Sequence, residues 1–329
     1  VMRRFAVIFL SGLLATLALL SLYGRTDSRT AVAVIASGLA IPSAVLALAI
    51  ALALALVLRG KRQPLIRIAL LSAIVLLVAW SPLADSFGAG QIPGDGRRAD
   101  HRNATVIVSA NMFRANRTPR AAVQAVLDQN ADIVMMQEAN GPTRPFLNMM
   151  ARHYKYRTPC LRYCSLIIWS RRPLSLLPDS FSLHLPWQFR RMMLVARTQD
   201  RTGQTVVVAT VHYPQPVPVA KQAAVRTALA EALARTDGAR LILAGDMNMA
   251  GWSPTMAQQD HLFHPLVRAT HGLMTYPALI AMKDLPWPLP FVSIDHLYSG
   301  AGFSAVWADS FAIPGSDHRG IRVLLQARP

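Results

Sequence analysis

Apolar positions are spread unevenly along the chain. Residues 5–23 are apolar after Arg3 and Arg4. Residues 31–58 are apolar apart from Ser37, Gly38, Pro42 and Ser43. Residues 65–83 form a third run, with Arg67 near its start and Trp80 near its end. Each run is long enough to cross about 30 Å of hydrocarbon as a helix. The middle run has no polar face, which a half-solvated helix would need. Three membrane helices are therefore predicted within residues 1–83. The first run has the basic start of a signal peptide, but no convincing small-x-small cleavage site precedes Arg25, so it reads as a span.

The pattern changes after residue 83. Residues 84–103 are rich in Gly, Asp and Arg, have no apolar period, and read as a linker. From Ala104 to the C-terminus, short apolar strands alternate with helices and turns. Strands are expected at 105–110, 132–138, 206–211, 241–244, 292–297 and 321–325. Helical spacing covers 119–129 and 221–234. The 104–329 segment is thus one α/β domain.

Composition sharpens this division. The 329 residues are 53% hydrophobic and the mean hydropathy is +0.31, too apolar for an ordinary soluble enzyme. The formal net charge is +17. Eight Lys/Arg and one Asp fall before Ala84, so both halves are basic. A basic domain suits phosphoesters, nucleic acid, acidic headgroups or an anionic membrane, and charge alone does not choose among them. Arg3 and Arg4 precede the first span, and Arg59, Lys61, Arg62 and Arg67 surround the second loop. The positive-inside rule places both in the cytoplasm. Three spans then put the domain outside, which in a Gram-negative cell is the periplasm. There Cys160 and Cys164 could form a short disulfide. A zinc site lacks a second pair.

The candidate chemistry lies at the strand ends. Leu241-Ile242-Leu243-Ala244 is a buried strand, and Gly245 permits a tight turn before Asp246-Met247-Asn248. On an extended backbone the Asp246 and Asn248 side chains leave the same face. The same letters also suit a turn with an Asx cap. Other strands end at Asn111, at Gln137-Glu138 and at His212. Val292-Ser293-Ile294 runs into Asp295-His296. Gly315-Ser316-Asp317-His318 precedes the last strand. Glu138 is one of two glutamates in the chain.

This ordered set resembles the endonuclease/exonuclease/phosphatase superfamily, which includes DNase I-like nucleases, neutral sphingomyelinases and inositol polyphosphate phosphatases. The match runs from about Thr105 to the C-terminus. The three-helix anchor makes the chain look most like a membrane-tethered bacterial subgroup. Ser109-Ala110-Asn111 departs from the aromatic that many members place before the Asn. The resemblance implies a four-layered α/β sandwich of two facing mixed sheets with outer helices, and strand ends converging on one edge.

It also implies roles. Glu138, with Asn111 and Asp317, would hold Mg²⁺ or Mn²⁺, hard cations that take oxygen ligands. His318 would be the general base or a transition-state stabiliser, oriented by Asp295. Asp246 would align or deprotonate the attacking water. Asn248 would donate to a phosphate oxygen. His212 would be the acid near the leaving group or a second phosphate contact.

The implied function is a membrane-tethered, metal-dependent phosphoesterase acting on a phosphate ester or pyrophosphate, with lipid-linked headgroups among the candidates. Its partners would be the bilayer and an anionic substrate. Residues 274–290, with Tyr276, Leu279, Ile280 and Trp287, form an apolar loop that either dips into the bilayer or packs internally. The alternative is a nuclease acting on DNA or RNA. A tether without a long Lys/Arg-aromatic track is an odd design for duplex DNA. A non-catalytic scaffold is disfavoured by the complete residue set.

Overall fold

The computed structural model describes residues 2–58, 66, 69–70, 73, 76, 79–86, 103–159, 165–177, 192–234, 238–280 and 285–328. The N-terminal part opens with helix α1 (Met2–Thr26), followed by α2 (Ala31–Gly38) and α3 (Ala40–Val57). Segments 4–26 and 40–57 are long and apolar enough to cross a membrane. Only 11% and 28% of their apolar windows is buried, so neither is the enclosed core helix of a globular domain.

The single span expected over residues 31–58 is instead broken at Leu39. Pro42 has no N–H to offer the carbonyl of Gly38, so the helical ladder cannot run through this point. The next bond, from Ser43 N to Leu39 O at 2.9 Å, already belongs to α3. The short α2 packs against the end of α1. Ser37 Oγ donates to Gly24 O at 2.6 Å, and a Cβ on Gly24 would lie 2.8 Å from Ser37 N. Much of the third expected span lies outside the described residues; those described within it are helical, and the helix continues through residues 84–86, which were expected to open the linker. Cys160 and Cys164 also lie outside the described residues.

The rest of the chain builds two six-stranded sheets. In chain order the elements are β1 (Ala104–Asn111), α4 (Pro119–Leu127), β2 (Ile133–Gln137), α5 (Leu147–Ala151), β3 (Tyr156–Arg157), β4 (Leu166–Ser170), β5 (Ser175–Leu176), β6 (Met193–Gln199) and β7 (Thr205–His212). Then come α6 (Val219–Leu233), β8 (Leu241–Asp246), α7 (Pro254–Leu262), β9 (Val267–Arg268), β10 (Leu279–Ile280), β11 (Leu285–Pro286), β12 (Asp295–Ser299), β13 (Phe303–Ala312) and β14 (Arg319–Ala327). One sheet has the order β13-β14-β1-β2-β4-β3 and the other β5-β6-β7-β8-β12-β9. Each is mixed: β1 and β2 are parallel, as are β7 and β8, and the remaining pairs are antiparallel.

Side-chain alternation explains why the sheets stack. Successive strand residues face opposite sides. Ile107, Met135, Val208, Ile242 and Ile321 share the core between the sheets. Their neighbours Val108, Val134 and Met136 pack under α4 and α5. Leu241, Leu243 and Val211 pack under α6 and α7. The mixed α/β architecture with two facing sheets and outer helices agrees with the fold expected from sequence.

The register decides where the site lies. β7 and β8 run parallel, with His212 beside Asp246. β12 runs antiparallel to β8, so its first residue, Asp295, pairs with Asp246. In the other sheet Asn111 pairs with Gln137. Asp295 therefore starts its strand, where sequence reading put it at a strand's end, and β13 intervenes before His318. The apolar loop at 274–290 contains the hairpin β10–β11 and leaves Leu285, Trp287 and Leu289 exposed.

Gly245 shows how tightly this edge is built. A Cβ there would sit 1.9 Å from the Val211 carbonyl oxygen on β7. Gly245→Ala should lower the thermal midpoint by roughly 10 °C, corresponding to about 3 kcal/mol for a domain of this size. An unchanged midpoint in a calorimetric melt would mean that β7 and β8 do not meet at this register.

Candidate active site

The inward faces of the strands are apolar along most of their length and become polar at the last two rungs. Ser109, Gln137 and Thr210 form the first polar rung. Gln137 Nε2 donates to Ser109 Oγ at 3.0 Å and to Thr210 Oγ1 at 2.8 Å, linking one sheet to the other. Asn111, His212 and Asp246 follow two residues further along their strands. His212 and Asp246 open into a cavity of about 910 Å³, which Glu138, Asn248, Asp317, His318 and Tyr276 also line, and Asn111 lies buried behind them.

Asp246 is the centre of this group. Its Oδ2 accepts from Asn111 Nδ2 at 3.0 Å, and lies 3.6 Å from both His212 Nε2 and His318 Nε2. Its Oδ1 accepts from Asn248 N at 2.9 Å, closing an Asx turn. Asn248 has φ +50°, so Asp246 and Asn248 meet through that turn rather than along an extended strand. The Asn248 amide donates to Tyr213 O at 3.0 Å and to Asp246 Oδ2 at 3.3 Å. Both amide hydrogens are thereby engaged, and donation to a phosphate requires releasing one of them. Burial, opposed by His318 and reinforced by Asp295, pushes the Asp246 carboxyl up to about 6.

His318 is held between two carboxylates. Its Nδ1 lies 2.9 Å from Asp295 Oδ2, and its Nε2 faces Asp246. Burial alone would favour the neutral ring, but Asp295 and Asp246 together outweigh it and raise the histidine well above its ordinary range. Both carboxylates favour the imidazolium form. The preceding turn is fixed by Ser316, whose Oγ donates to Asn111 O at 2.9 Å and accepts from His318 N at 3.1 Å.

Glu138 and Asp317 supply a second acidic pair. Glu138 leaves β2 with φ +50°, a left-handed conformation that costs a non-glycine residue on the order of 1–3 kcal/mol. Its Oε2 accepts from Arg114 N at 2.7 Å, and its Oε1 lies 3.6 Å from His212 Nε2. Asp317 Oδ1 is buried without a hydrogen-bond partner. Burial raises the Asp317 carboxyl, and the charge of Glu138 adds to that despite the nearby His318. An unpartnered buried carboxylate oxygen beside a second carboxylate fits a hard divalent cation. Asn111 contributes less directly, since its Oδ1 already accepts from Phe113 N at 3.0 Å. Asp246, Asp295 and His318 also place one ligand atom each within 4.8 Å of one another. Their mutual contacts make proton handling the better use of that trio.

All eight residues singled out from the sequence thus join one contiguous set. Sequence reading placed Tyr276 only in the apolar 274–290 loop, whereas its ring lies 5.3 Å from that of His318, and it missed Arg114, which acts through its backbone. It also missed α2: Val34, Ile35, Gly38 and Leu39 form part of the cavity wall. The polar residues that break the apolar run at 31–58 were the available signal.

A family model described as "Endonuclease/Exonuclease/phosphatase family" matches residues 108–318. No curated protein matches the chain. Among solved structures, an endonuclease/exonuclease/phosphatase from Beutenbergia cavernae is similar with TM-score 0.52 and 17% identity, covering 68% of this chain and 72% of that one. D. rerio TDP2, complexed with a single-strand DNA product, gives TM-score 0.52 and 16% identity over 68% of this chain and 98% of its own. The human Nocturnin catalytic domain, with bound sulfate, gives 0.51 and 17% over 69% and 96%. At these identities the likeness concerns the fold.

If Asp295 acts through His318, their losses should not multiply. His318→Ala should lower kcat/KM on bis(p-nitrophenyl) phosphate by roughly 1,000-fold. Asp295→Asn should cost less, since the ring stays present but loses its orientation. The double variant should be close to His318→Ala alone, because residues acting as a unit fail together. A double loss equal to the product of the single losses would show that the two act independently.

Proposed function

Because the chain belongs to the endonuclease/exonuclease/phosphatase family, whose members hydrolyse phosphoester bonds, we propose that it is a divalent-metal-dependent phosphoesterase held at a membrane, with its site on the periplasmic side. The observation that carries the reading is the Asp246–His318–Asp295 relay beside the Glu138–Asp317 pair at one sheet edge.

The chemistry follows from those positions. Asp246 is buried with a raised carboxyl, so it can take a proton from water once the phosphate displaces part of its present contacts. The water oxygen forms the new bond to phosphorus, and the ester P–O bond breaks. His318, charged and fixed by Asp295, stabilises the added negative charge on the phosphoryl oxygens. Of the two roles expected for it, stabiliser suits this environment better than base. His212, 3.6 Å from both Glu138 and Asp246, delivers the proton to the leaving oxygen or makes a second phosphate contact. Mg²⁺ or Mn²⁺ held by Glu138 and Asp317 would neutralise charge at the reacting phosphate. Asn111 positions Asp246 through its amide.

A nuclease is the second reading, supported by the family and the net charge of +17. The cavity argues against an extended polynucleotide. Among the described residues that line it, Arg114 is the one Lys or Arg, whereas a nucleic-acid groove follows the backbone with many.

Two measurements test the proposal. Glu138→Gln keeps the shape and removes the charge. It should lower turnover roughly 100-fold and raise the Mg²⁺ concentration needed for half-maximal rate; full activity in excess EDTA would remove the metal from the mechanism. For orientation, a C-terminal alkaline phosphatase fusion should be active and a C-terminal GFP fusion dark, as the Lys/Arg bias of the loops requires. The reverse pattern would place the site in the cytoplasm.

A further inference from the structure

The cavity has a charged floor and an apolar wall, and the wall comes from the anchor. Its volume of about 910 Å³ lies near the top of the roughly 300–1,000 Å³ range for sites that enclose whole small molecules. A phosphate group alone would leave most of it empty. The floor carries Asp246, His318 and Glu138. On the other side, Ile35 and Leu39 stand at its lining while remaining 51% and 45% exposed. Val217, 43% exposed, and Phe291 also line the cavity.

The wall is held in place. Trp252 Nε1 donates to Ser37 O at 2.8 Å, and Gln258 Nε2 donates to Ser28 Oγ at 3.0 Å. These bonds tie the C-terminal turn of α2 and the connection that precedes it to the part of the domain next to the site. The break at Leu39 leads directly into α3, so the apolar side of the cavity continues into a helix apolar enough to span a bilayer.

We propose that α2 is the acyl-chain side of the substrate site: the enzyme takes a membrane amphiphile whose phosphate sits on the Asp246–His318 floor and whose hydrocarbon tail lies along Ile35 and Leu39. The proposal rests on the phosphoesterase reading above and narrows it to one substrate class. It assigns a specificity-determining role to an anchor segment otherwise read as membrane helix. A tail along α2 replaces water at two exposed apolar side chains, which favours long-chain over short-chain esters by the ordinary hydrophobic effect.

The test uses the full chain in neutral detergent with two chromogenic probes, p-nitrophenyl octyl phosphate and p-nitrophenyl methyl phosphate. Water adds to phosphorus in each, and p-nitrophenolate leaves with the alkyl phosphate as the other product. The octyl-to-methyl ratio of kcat/KM should be at least about tenfold. It should fall by about the same factor in the Ile35→Ser/Leu39→Ser variant, through KM. A ratio cancels any loss of folded protein, and comparison in the same micelles cancels partitioning of the probe. As a second measurement on the parent protein, octyl phosphate with a terminal diazirine should label residues 31–39, and unlabelled octyl phosphate should compete. A ratio near one in the parent, an unchanged ratio in the variant, or labelling confined to other segments would overturn the proposal while leaving a phosphoesterase in place. Hydrolysis of neither probe, nor of p-nitrophenyl phosphate or octyl diphosphate, with or without Mg²⁺, would remove the phosphoesterase reading and this proposal together.

Discussion

The structure depends on keeping one carboxylate, Asp246, charged while almost fully buried. Taking such a group out of water costs several kcal/mol even after the protein relaxes. That cost is met by groups from separate parts of the chain. Asn111 comes from β1, His212 from β7, His318 from the turn before β14, and Asn248 from the turn after β8. No local segment could supply them. The two sheets must be stacked in the correct register for the charge to be tolerated, and Gln137, bonded to Ser109 and Thr210 just beneath, ties the sheets at that level. His318 in turn needs Asp295, because an imidazolium facing a single carboxylate would leave its other N–H buried and unpaired.

Much of this was readable because it is encoded locally. An apolar run that stops at a polar residue marks both a core strand and its exposed end, and six such runs pointed to the residues that now form one set. The outer strands were harder to see. β13 reads Phe-Ser-Ala-Val-Trp-Ala-Asp-Ser-Phe-Ala, and most of its side chains are half-buried. An edge strand of this kind has no clean alternation to detect. Extended geometry would put Asp246 and Asn248 on the same face, and the same letters also allow an Asx-capped turn; the structure has the turn, with Asn248 in the left-handed region. The i, i+2 spacing was informative, but it did not choose between the two backbone conformations. Glu138 and Phe113 have the same φ near +50°, and positive φ at non-glycine residues is set by tertiary contacts rather than by residue type.

The anchor was the least legible element. Continuous hydrophobicity over residues 31–58 predicts one helix, because an apolar run carries no record of where lipid ends and protein begins. Pro42 and Gly38 divide it. The consequence is an eight-residue helix that serves the domain rather than spanning hydrocarbon, with exposed apolar side chains beside a charged floor.

A second attachment joins the N-terminal part of the chain to the domain. Asp85, beyond the third apolar run, contacts Arg268 Nη2 at 2.9 Å, His271 Nδ1 at 2.9 Å and Gly272 N at 3.0 Å. Burial pushes its carboxyl up, but these three partners together hold it well below the usual carboxylate range. Arg268 is itself buried, bonded to Asp260 and to Gly251 O, and it lies on β9 against β12. Asp260 also accepts from the Tyr298 hydroxyl on β12, the strand that begins at Asp295. A buried ion pair gives little net stability, but breaking one leaves a charge uncompensated at a cost of about 3–5 kcal/mol. Asp85 therefore registers the helix that follows the third apolar run against the strand that orients His318. α2, between the two long apolar helices, registers that part of the chain against the cavity. With both attachments made, the site edge has a defined position relative to the N-terminal apolar helices, which a flexible tether of the same length would not provide.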